Sequence, residues 1–240
     1  MKKTAVCLLL LGALLFAAEN FETDTVPTKA GDLSMTFIGH GTLCFEWNNK
    51  VVHVDPWSRL ADYENLPKAD LVLVTHQHGD HLDANAIQTL KKENTTVVLT
   101  EKCLEKTSGI VMKNGEEKEF IGIKVKAVPA YNIKNKRDNG APFHPKGEGN
   151  GYVITFGDVK VYVAGDTENI PEMAELKGQI DIAFIPMNLP YTMSPEMAAD
   201  AALKISPKIL YPYHFGDTDV SRLVELLENE KLDVRIRKLQ

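Results

Sequence analysis

The sequence predicts an α/β protein built as an αββα four-layer sandwich, two central mixed β-sheets face to face with helices outside. Three observations predict it. Apolar, β-branched runs of strand length recur through both halves of the 240-residue chain. Each half is flanked by stretches of helical pattern, and the residues that carry chemistry stand at strand ends, where open α/β layers place their sites. A chain of this length buries a good core, and 44% hydrophobic and 25% charged residues are ordinary for a soluble protein.

The elements follow in order. Residues 20–32 are polar, with Pro27 and Gly31, and read as a loose start. Residues 33–38, 43–47 and 50–54 read as a β-meander with Asn48-Asn49 as a turn. Asp55-Pro56 opens an irregular stretch to residue 68, and Ala69-Asp70-Leu71-Val72-Leu73-Val74 reads as a buried strand. Asp83 is a good N-cap for a helix running to about residue 93. A strand over 97–100, a short helix over 101–106 and strands over 118–121 and 123–128 complete the first half.

Residues 130–150 form the longest irregular segment, of the kind that carries function in compact domains, and contain His144. A hairpin over 152–156 and 159–164 turns at Gly157-Asp158 and ends at Gly165-Asp166-Thr167. Then come a short helix over 171–176 and an apolar strand over 180–185. Ser194 caps a helix over 195–205 with Pro195 at its first position. A strand over 208–211 leads to His214, followed by a helix over 220–230 and a last strand over 232–236.

Lys2-Lys3, an apolar run over 5–16 and Ala17-Ala18-Glu19 read as a secretory signal peptide over residues 1–18. This leaves 19–240 as one domain, exported to the periplasm or the extracellular space, with an uncleaved anchor as the alternative. Once the signal is cleaved, no stable membrane span is expected. Cys7 would leave with the signal, and Cys44 and Cys103 read either as one bridge or as two buried thiols. A net charge of −6, more acidic still without Lys2 and Lys3, excludes a broad nucleic-acid footprint. The one Lys/Arg cluster is Lys134-Asn135-Lys136-Arg137, in a polar loop.

The chemistry concentrates after the strand at 69–74, in Thr75-His76-Gln77-His78-Gly79-Asp80-His81-Leu82-Asp83. In extended backbone, side chains two apart point the same way, so His76 and His78 can converge on one ion. Gly79 lets the chain bend, so that Asp80 and His81 reach a second position nearby. Structural zinc sites favour cysteine, which is absent here, so a His/Asp set with open positions suits catalysis.

His76-x-His78-x-Asp80-His81 resembles the signature of the metallo-β-lactamase superfamily of metal-dependent hydrolases. Ile38-Gly39-His40-Gly41 and Val52-His53-Val54-Asp55-Pro56 resemble the opening strands of its ascorbate-phosphate-lactonase-like branch. Gly165-Asp166-Thr167 and Tyr213-His214-Phe215-Gly216 resemble its later metal motifs, so that the likeness spans roughly residues 33–236. The resemblance implies a first ion held by His76, His78 and His144, a second by Asp80, His81 and His214, and Asp166 bridging the two. In most members the third histidine follows its strand in a Gly-His pair. Here Pro129-Ala130-Tyr131-Asn132 stands there instead, leaving Asp138 or Glu148 as alternatives to His144. Asp166 also reads as a turn residue and His214 as a core histidine.

The donor set suits two divalent ions, zinc first, with manganese or iron as alternatives. His40, between two glycines, can reach a substrate oxygen, whereas His53 sits mid-strand in a structural position. Asp55 orients a ligand imidazole or the opening turn. Tyr131, Asn188, Tyr191 and Phe215 are candidate pocket walls. The implied activity is hydrolysis of a small-molecule ester, lactone, amide or phosphoester, with Asp80 orienting the attacking water and moving its proton. The alternatives are a mononuclear iron oxidoreductase of the same fold, a secreted non-catalytic metal-binding module and, ranked lower, a β-lactamase.

Overall fold

The computed structural model describes residues 21–240, so the expected signal segment and Cys7 lie outside the described residues. The first sheet contains β1 (Glu22–Thr28), β2 (Gly31–Gly39), β3 (Thr42–Trp47), β4 (Lys50–Val54), β5 (Ala69–Leu73), β6 (Lys91–Leu99) and β7 (Ile110–Val111), side by side in chain order. The second contains β8 (Glu117–Phe120), β9 (Ile123–Ala130), β10 (Gly149–Phe156), β11 (Val159–Val163), β12 (Ile182–Pro186), β13 (Ile209–Tyr213) and β14 (Asp233–Val234), again in chain order. Both sheets are mixed in the same way. Strands β1 to β4 and β8 to β11 are antiparallel meanders, while β4 to β7 and β11 to β14 run parallel.

Strand β5 shows why the layers form. Leu71 and Leu73 point into the cluster between the sheets, and Val72 and Val74 point into a second cluster on the outer face. A strand covered on both sides reads as a continuous apolar run, as this one does. Between the sheets, Phe37 and Phe45 of the first meet Phe184 of the second, and Trp47 meets Phe156 edge-on. Each such ring contributes roughly 1.5–3 kcal/mol by leaving water.

The outer layers are helical, as expected. Helix α1 (Ala84–Leu90) starts at Asp83, which accepts from the N–H groups of Asn85 and Ala86, and buries Ala86, Ile87 and Leu90. Helix α2 (Pro195–Ile205) starts at Ser194 and covers the second sheet with Ala198, Ala199, Ala201, Ala202 and Ile205. Helix α3 (Ser221–Leu227) and a short 3₁₀ helix at Pro171–Leu176 flank it.

The structure departs from the sequence reading at several boundaries. Residues 22–28, expected to be loose, form the edge strand β1. Its polar pattern is tolerated because Asp24 accepts hydrogen bonds from the Tyr211 hydroxyl at 2.5 Å and from Arg237 Nη2 at 2.7 Å, tying the edge to the second sheet. Helix α1 stops at Leu90 rather than near residue 93, because Lys91–Leu99 joins β5 as a parallel strand, pinned where Thr95 Oγ1 donates to the Ala69 carbonyl. Helix α3 and strand β14 are shorter than expected. Cys44 and Cys103 are both buried free thiols, which settles the alternatives left by the sequence. Among the described residues, no helix is long and apolar enough to cross a membrane.

Candidate metal centre

The ligand-type side chains meet along the rim where strands of both sheets end. Past β5 come Thr75 and His76, then a tight turn in which the N–H of Leu82 bonds to the His78 carbonyl at 2.8 Å. The turn does not use a left-handed Gly79: a Cβ there would meet open space. The bend comes instead from the hydrogen-bonded turn itself. Three other site residues do take left-handed backbone: His40 at φ 50°, Asp55 at φ 44° and His214 at φ 48°. Non-glycine residues adopt this conformation at a cost, and such positions cluster at functional sites. His40 follows β2 and His214 follows β13, and the N–H of His214 donates to the His40 carbonyl at 3.0 Å, joining the two sheets beneath the site.

Two groups of donors converge. In the first, His76 Nε2 and His144 Nε2 each lie 3.1 Å from His78 Nδ1. In the second, Asp80 Oδ2 lies 3.2 Å from His40 Nε2, 3.6 Å from His214 Nε2 and 3.7 Å from His81 Nε2. Asp166 stands between them. Its Oδ2 is 3.3 Å from His144 Nε2 and 3.5 Å from His214 Nε2, and its Oδ1 is 3.4 Å from His81 Nε2. Tetrahedral ligand nitrogens about 2.1 Å from an ion stand about 3.4 Å apart, so both groups have the spacing of a coordination shell. Among the described residues, His81 Nε2, His214 Nε2 and Asp166 Oδ1 are buried side-chain atoms without a hydrogen-bond partner. Buried polar atoms are rarely left so, and a cation between them would satisfy all three. The residues present therefore fit a metal.

The imidazoles are aimed by a second tier of contacts. Asp55 Oδ2 accepts from His81 Nδ1 at 2.7 Å, and Asp55 also accepts from the N–H and hydroxyl of Thr75 at 2.7 and 2.6 Å. Asn132 Oδ1 lies 2.7 Å from His144 Nδ1 and accepts from the His144 N–H at 2.8 Å. Each contact leaves the ring's Nε2 facing the centre. The Gly41 position is equally tight: a Cβ there would stand 2.8 Å from His81 Cε1. Asn132 was not among the residues singled out from sequence, nor was Glu168. Glu168 is buried and accepts from Asn132 Nδ2 at 3.2 Å and from the N–H groups of Ile133, Lys134 and Asn135. A carboxylate two residues beyond Asp166 was the available signal, but its partners lie more than thirty residues upstream.

Electrostatics favour ligation. Burial, reinforced by the charge of His81, holds His76 neutral far below the usual imidazole range, and burial takes His78 down to about 4. Burial pushes the carboxyls of Asp80 and Asp166 up. The surrounding imidazoles, His214 foremost, outweigh it and keep both ionised. Burial also works against a charge on His81, but Asp166 and Asp55 raise it to about 10. Neutral imidazoles and ionised carboxylates are the forms that bind metal, so His76, His78, Asp80 and Asp166 are ready to ligate, whereas an ion would have to displace a proton from His81.

A cavity of about 490 Å³ opens over the centre, lined by His40, His78, Asp80, Arg137, Phe143, His144, Asp166, Asn188, Tyr191 and His214 among others. Asn188 and Tyr191 lie where expected. Tyr131 and Phe215 do not line it. Tyr131 turns its hydroxyl away to Glu172 at 3.0 Å, and Phe215 is buried in the core behind His214. His53, as expected, is structural, its Nε2 donating to the Pro67 carbonyl at 2.9 Å. Asp138 and Glu148, the alternatives to His144, are in none of the converging groups.

A two-sheet sandwich with such a His/Asp centre at its rim is the architecture of a metal-dependent enzyme. Comparison with known proteins agrees. The Beta-lactamase superfamily domain matches residues 34–214. A UPF0173 metal-dependent hydrolase of Pelotomaculum thermopropionicum is 33% identical over 197 residues, covering 77% of this chain and 85% of the relative. The crystal structure of a chain from Parabacteroides distasonis, described as a metal-dependent hydrolase, superposes with a TM-score of 0.88 at 50% identity, covering 92% of this chain and all of that one. Igni18, a metallo hydrolase from Ignicoccus hospitalis, shares the fold at 22% identity with a TM-score of 0.71, covering 86% of this chain and 95% of that one. The chain belongs to the metallo-β-lactamase superfamily, in the UPF0173 family of metal-dependent hydrolases.

Proposed function

We propose that this hydrolase works with two divalent ions, zinc in the first instance, on an ester, lactone or phosphoester of a small exported-compartment metabolite. The observation that carries the reading is Asp166, whose two oxygens stand 3.3 to 3.5 Å from imidazole nitrogens of both donor groups. A carboxylate so placed lets two cations sit close together. His76, His78 and His144 would hold one, and Asp80, His81 and His214 the other. When bound, the ions would supply hydroxide at neutral pH and polarise the electrophilic oxygen of the substrate.

The chain's own residues do the rest. Asp80 is only partly buried, its side chain 34% exposed and facing the cavity. Its ionised carboxylate orients the attacking water and takes its proton. His40 Nε2, 3.2 Å from Asp80 Oδ2, steadies that carboxylate or receives the substrate's developing oxyanion. Asp55 and Asn132 hold His81 and His144 in one orientation, so that no rotation is needed during turnover.

The test is elemental analysis of purified protein combined with an activity panel over lactones and phosphodiesters. Two ions per chain and a chelator-reversible hydrolysis are expected. A single iron per chain with oxygen consumption would turn the assignment to an oxidoreductase.

A further inference from the structure

The basic cluster at 134–137 has no role in the centre described above, yet the fold brings its last member to the cavity wall. Residues 136 and 142 form a β-bridge, the N–H of Arg137 donates to the Ala141 carbonyl at 2.8 Å, and the N–H of Gly140 donates back to the Arg137 carbonyl at 2.8 Å. This small hairpin leads straight into Phe143 and His144, so Arg137 is fixed relative to a proposed ligand. Its guanidinium lies over the Phe143 ring, 4.9 Å from the centroid, and Phe143 in turn meets Tyr191 edge-on at 5.1 Å.

The guanidinium is held but not neutralised. Arg222, Arg235 and Arg237 each pair with a carboxylate, whereas among the described residues Arg137 pairs with none, nor do Lys134 and Lys136. Its one hydrogen bond, from Nη2 to the Phe143 carbonyl, is long at 3.4 Å. A stacked, unpaired guanidinium on the wall of a cavity keeps its planar fork of donors free for a carboxylate or phosphate. On a chain of net charge −6, an unpaired cation on the cavity wall stands against the overall sign.

Resting on the hydrolytic reading of the site, we propose that the substrate is an anionic small molecule. Arg137 is its specificity-determining residue, gripping a carboxylate or phosphate remote from the scissile bond while Phe143 and Tyr191 flank the body between. A neutral analogue would keep the reacting group and lose this anchor.

Calorimetric titration of metal-loaded protein with alkyl hydroxamates tests this without turnover, because the hydroxamate engages the ions and the chain's far end probes Arg137. Ligands of graded length would end in a methyl, a carboxylate or a phosphonate. At one length the anionic ligand should bind wild type about tenfold tighter than its methyl counterpart, the gain of one charge-assisted hydrogen bond. Arg137→Gln should bring that ratio near one while leaving the methyl ligand's affinity and the metal content unchanged, and Arg137→Lys should retain part of it. The better of carboxylate and phosphonate names the group. A ratio near one in wild type at every length, or one unaltered in Arg137→Gln, overturns the proposal. If no hydroxamate binds wild type at all, the metal-centre reading fails first and the proposal goes with it.

Discussion

Asp55 Oδ2 stands 2.7 Å from His81 Nδ1 with both side chains wholly buried, in a contact that joins the end of the first meander to the metal-type centre. The carboxylate anchors His81 Nδ1 and turns Nε2 toward Asp166. Asp55→Asn keeps the shape but removes the charge that makes the imidazole a strong donor. Loss of such a partner typically costs 10–100-fold in metal affinity. Competition against a chelator should show the drop at one of two ions only. A variant that holds both ions as tightly as wild type would remove Asp55 from its assigned role.

Asn132 does for His144 what Asp55 does for His81, and its amide also donates to Glu168 and to the Tyr191 carbonyl. Asn132→Ala strips a partner from buried groups on three sides. A cost of about 1–3 kcal/mol in stability is expected for the polar groups left unmatched. His144→Ala should instead leave stability nearly intact and lower the metal content to one ion per chain. Denaturant unfolding and elemental analysis of the two variants separate the roles, and unchanged stoichiometry in His144→Ala would move that ligand elsewhere.

The contrast between these partners shows what the sequence makes legible. His76, His78, Asp80 and His81 could be read directly because they fall within six residues and follow a strand that is apolar on both faces. Asp166 and His214 were readable as polar residues closing apolar runs. Asn132 and Glu168 were not, because they act through bonds to side chains and backbone more than thirty residues away, which leave no local pattern. The edge strand at 22–28 escaped for the same reason. Its Asp24 is polar in isolation and becomes structural only through Tyr211 and Arg237, about 190 to 210 positions later. The misplaced end of α1 was a conflict between local propensity, since Lys91, Lys92 and Glu93 suit a helix, and pairing with β5, which prevailed.

Two glycines of the site should respond oppositely to alanine. At Gly41 the new Cβ would sit 2.8 Å from His81 Cε1 and 3.2 Å from its Nδ1, the nitrogen that Asp55 holds in place. Overpacking of this kind costs about 1–3 kcal/mol. At Gly79 the Cβ would meet nothing within 4 Å, and the turn needs no left-handed backbone there. Thermal melting should therefore show a clear loss for Gly41→Ala and almost none for Gly79→Ala. Equal losses would mean that the two positions are constrained by something other than this packing.

His53 supplies a pH dependence separate from the metal centre. Burial lowers its pKa from 6.5 to about 4, against a smaller opposing effect of the Pro67 carbonyl. Between those values the unfolded chain binds a proton that the folded chain refuses, so stability falls as pH drops from 6.5 towards 4. The full effect is about 3 kcal/mol. His53→Gln can still donate to the Pro67 carbonyl but does not titrate. On metal-free protein, urea midpoints at pH 7 and pH 4 should differ less for the variant than for wild type. Parallel pH profiles for the two proteins would assign the acid lability to other groups.

Asp80 is where ligation and chemistry divide. Its side chain is one-third exposed at the cavity, unlike the buried Asp166, so truncation opens the site to water rather than leaving a void in the core. Asp80→Ala should therefore melt close to wild type. The same change removes the ionised oxygen that faces His40, His81 and His214 together, and with it the group proposed to align the attacking water. Loss of a positioned general base lowers turnover by about 10²–10⁴-fold, and loss of a ligand adds to that. Asp80→Asn discriminates the two contributions, because an amide oxygen still ligates weakly but accepts no proton. Turnover in Asp80→Asn should stay as low as in Asp80→Ala while its metal content recovers. Near-normal turnover in either variant would transfer the proton-accepting role to another residue of the cavity, His40 being the nearest.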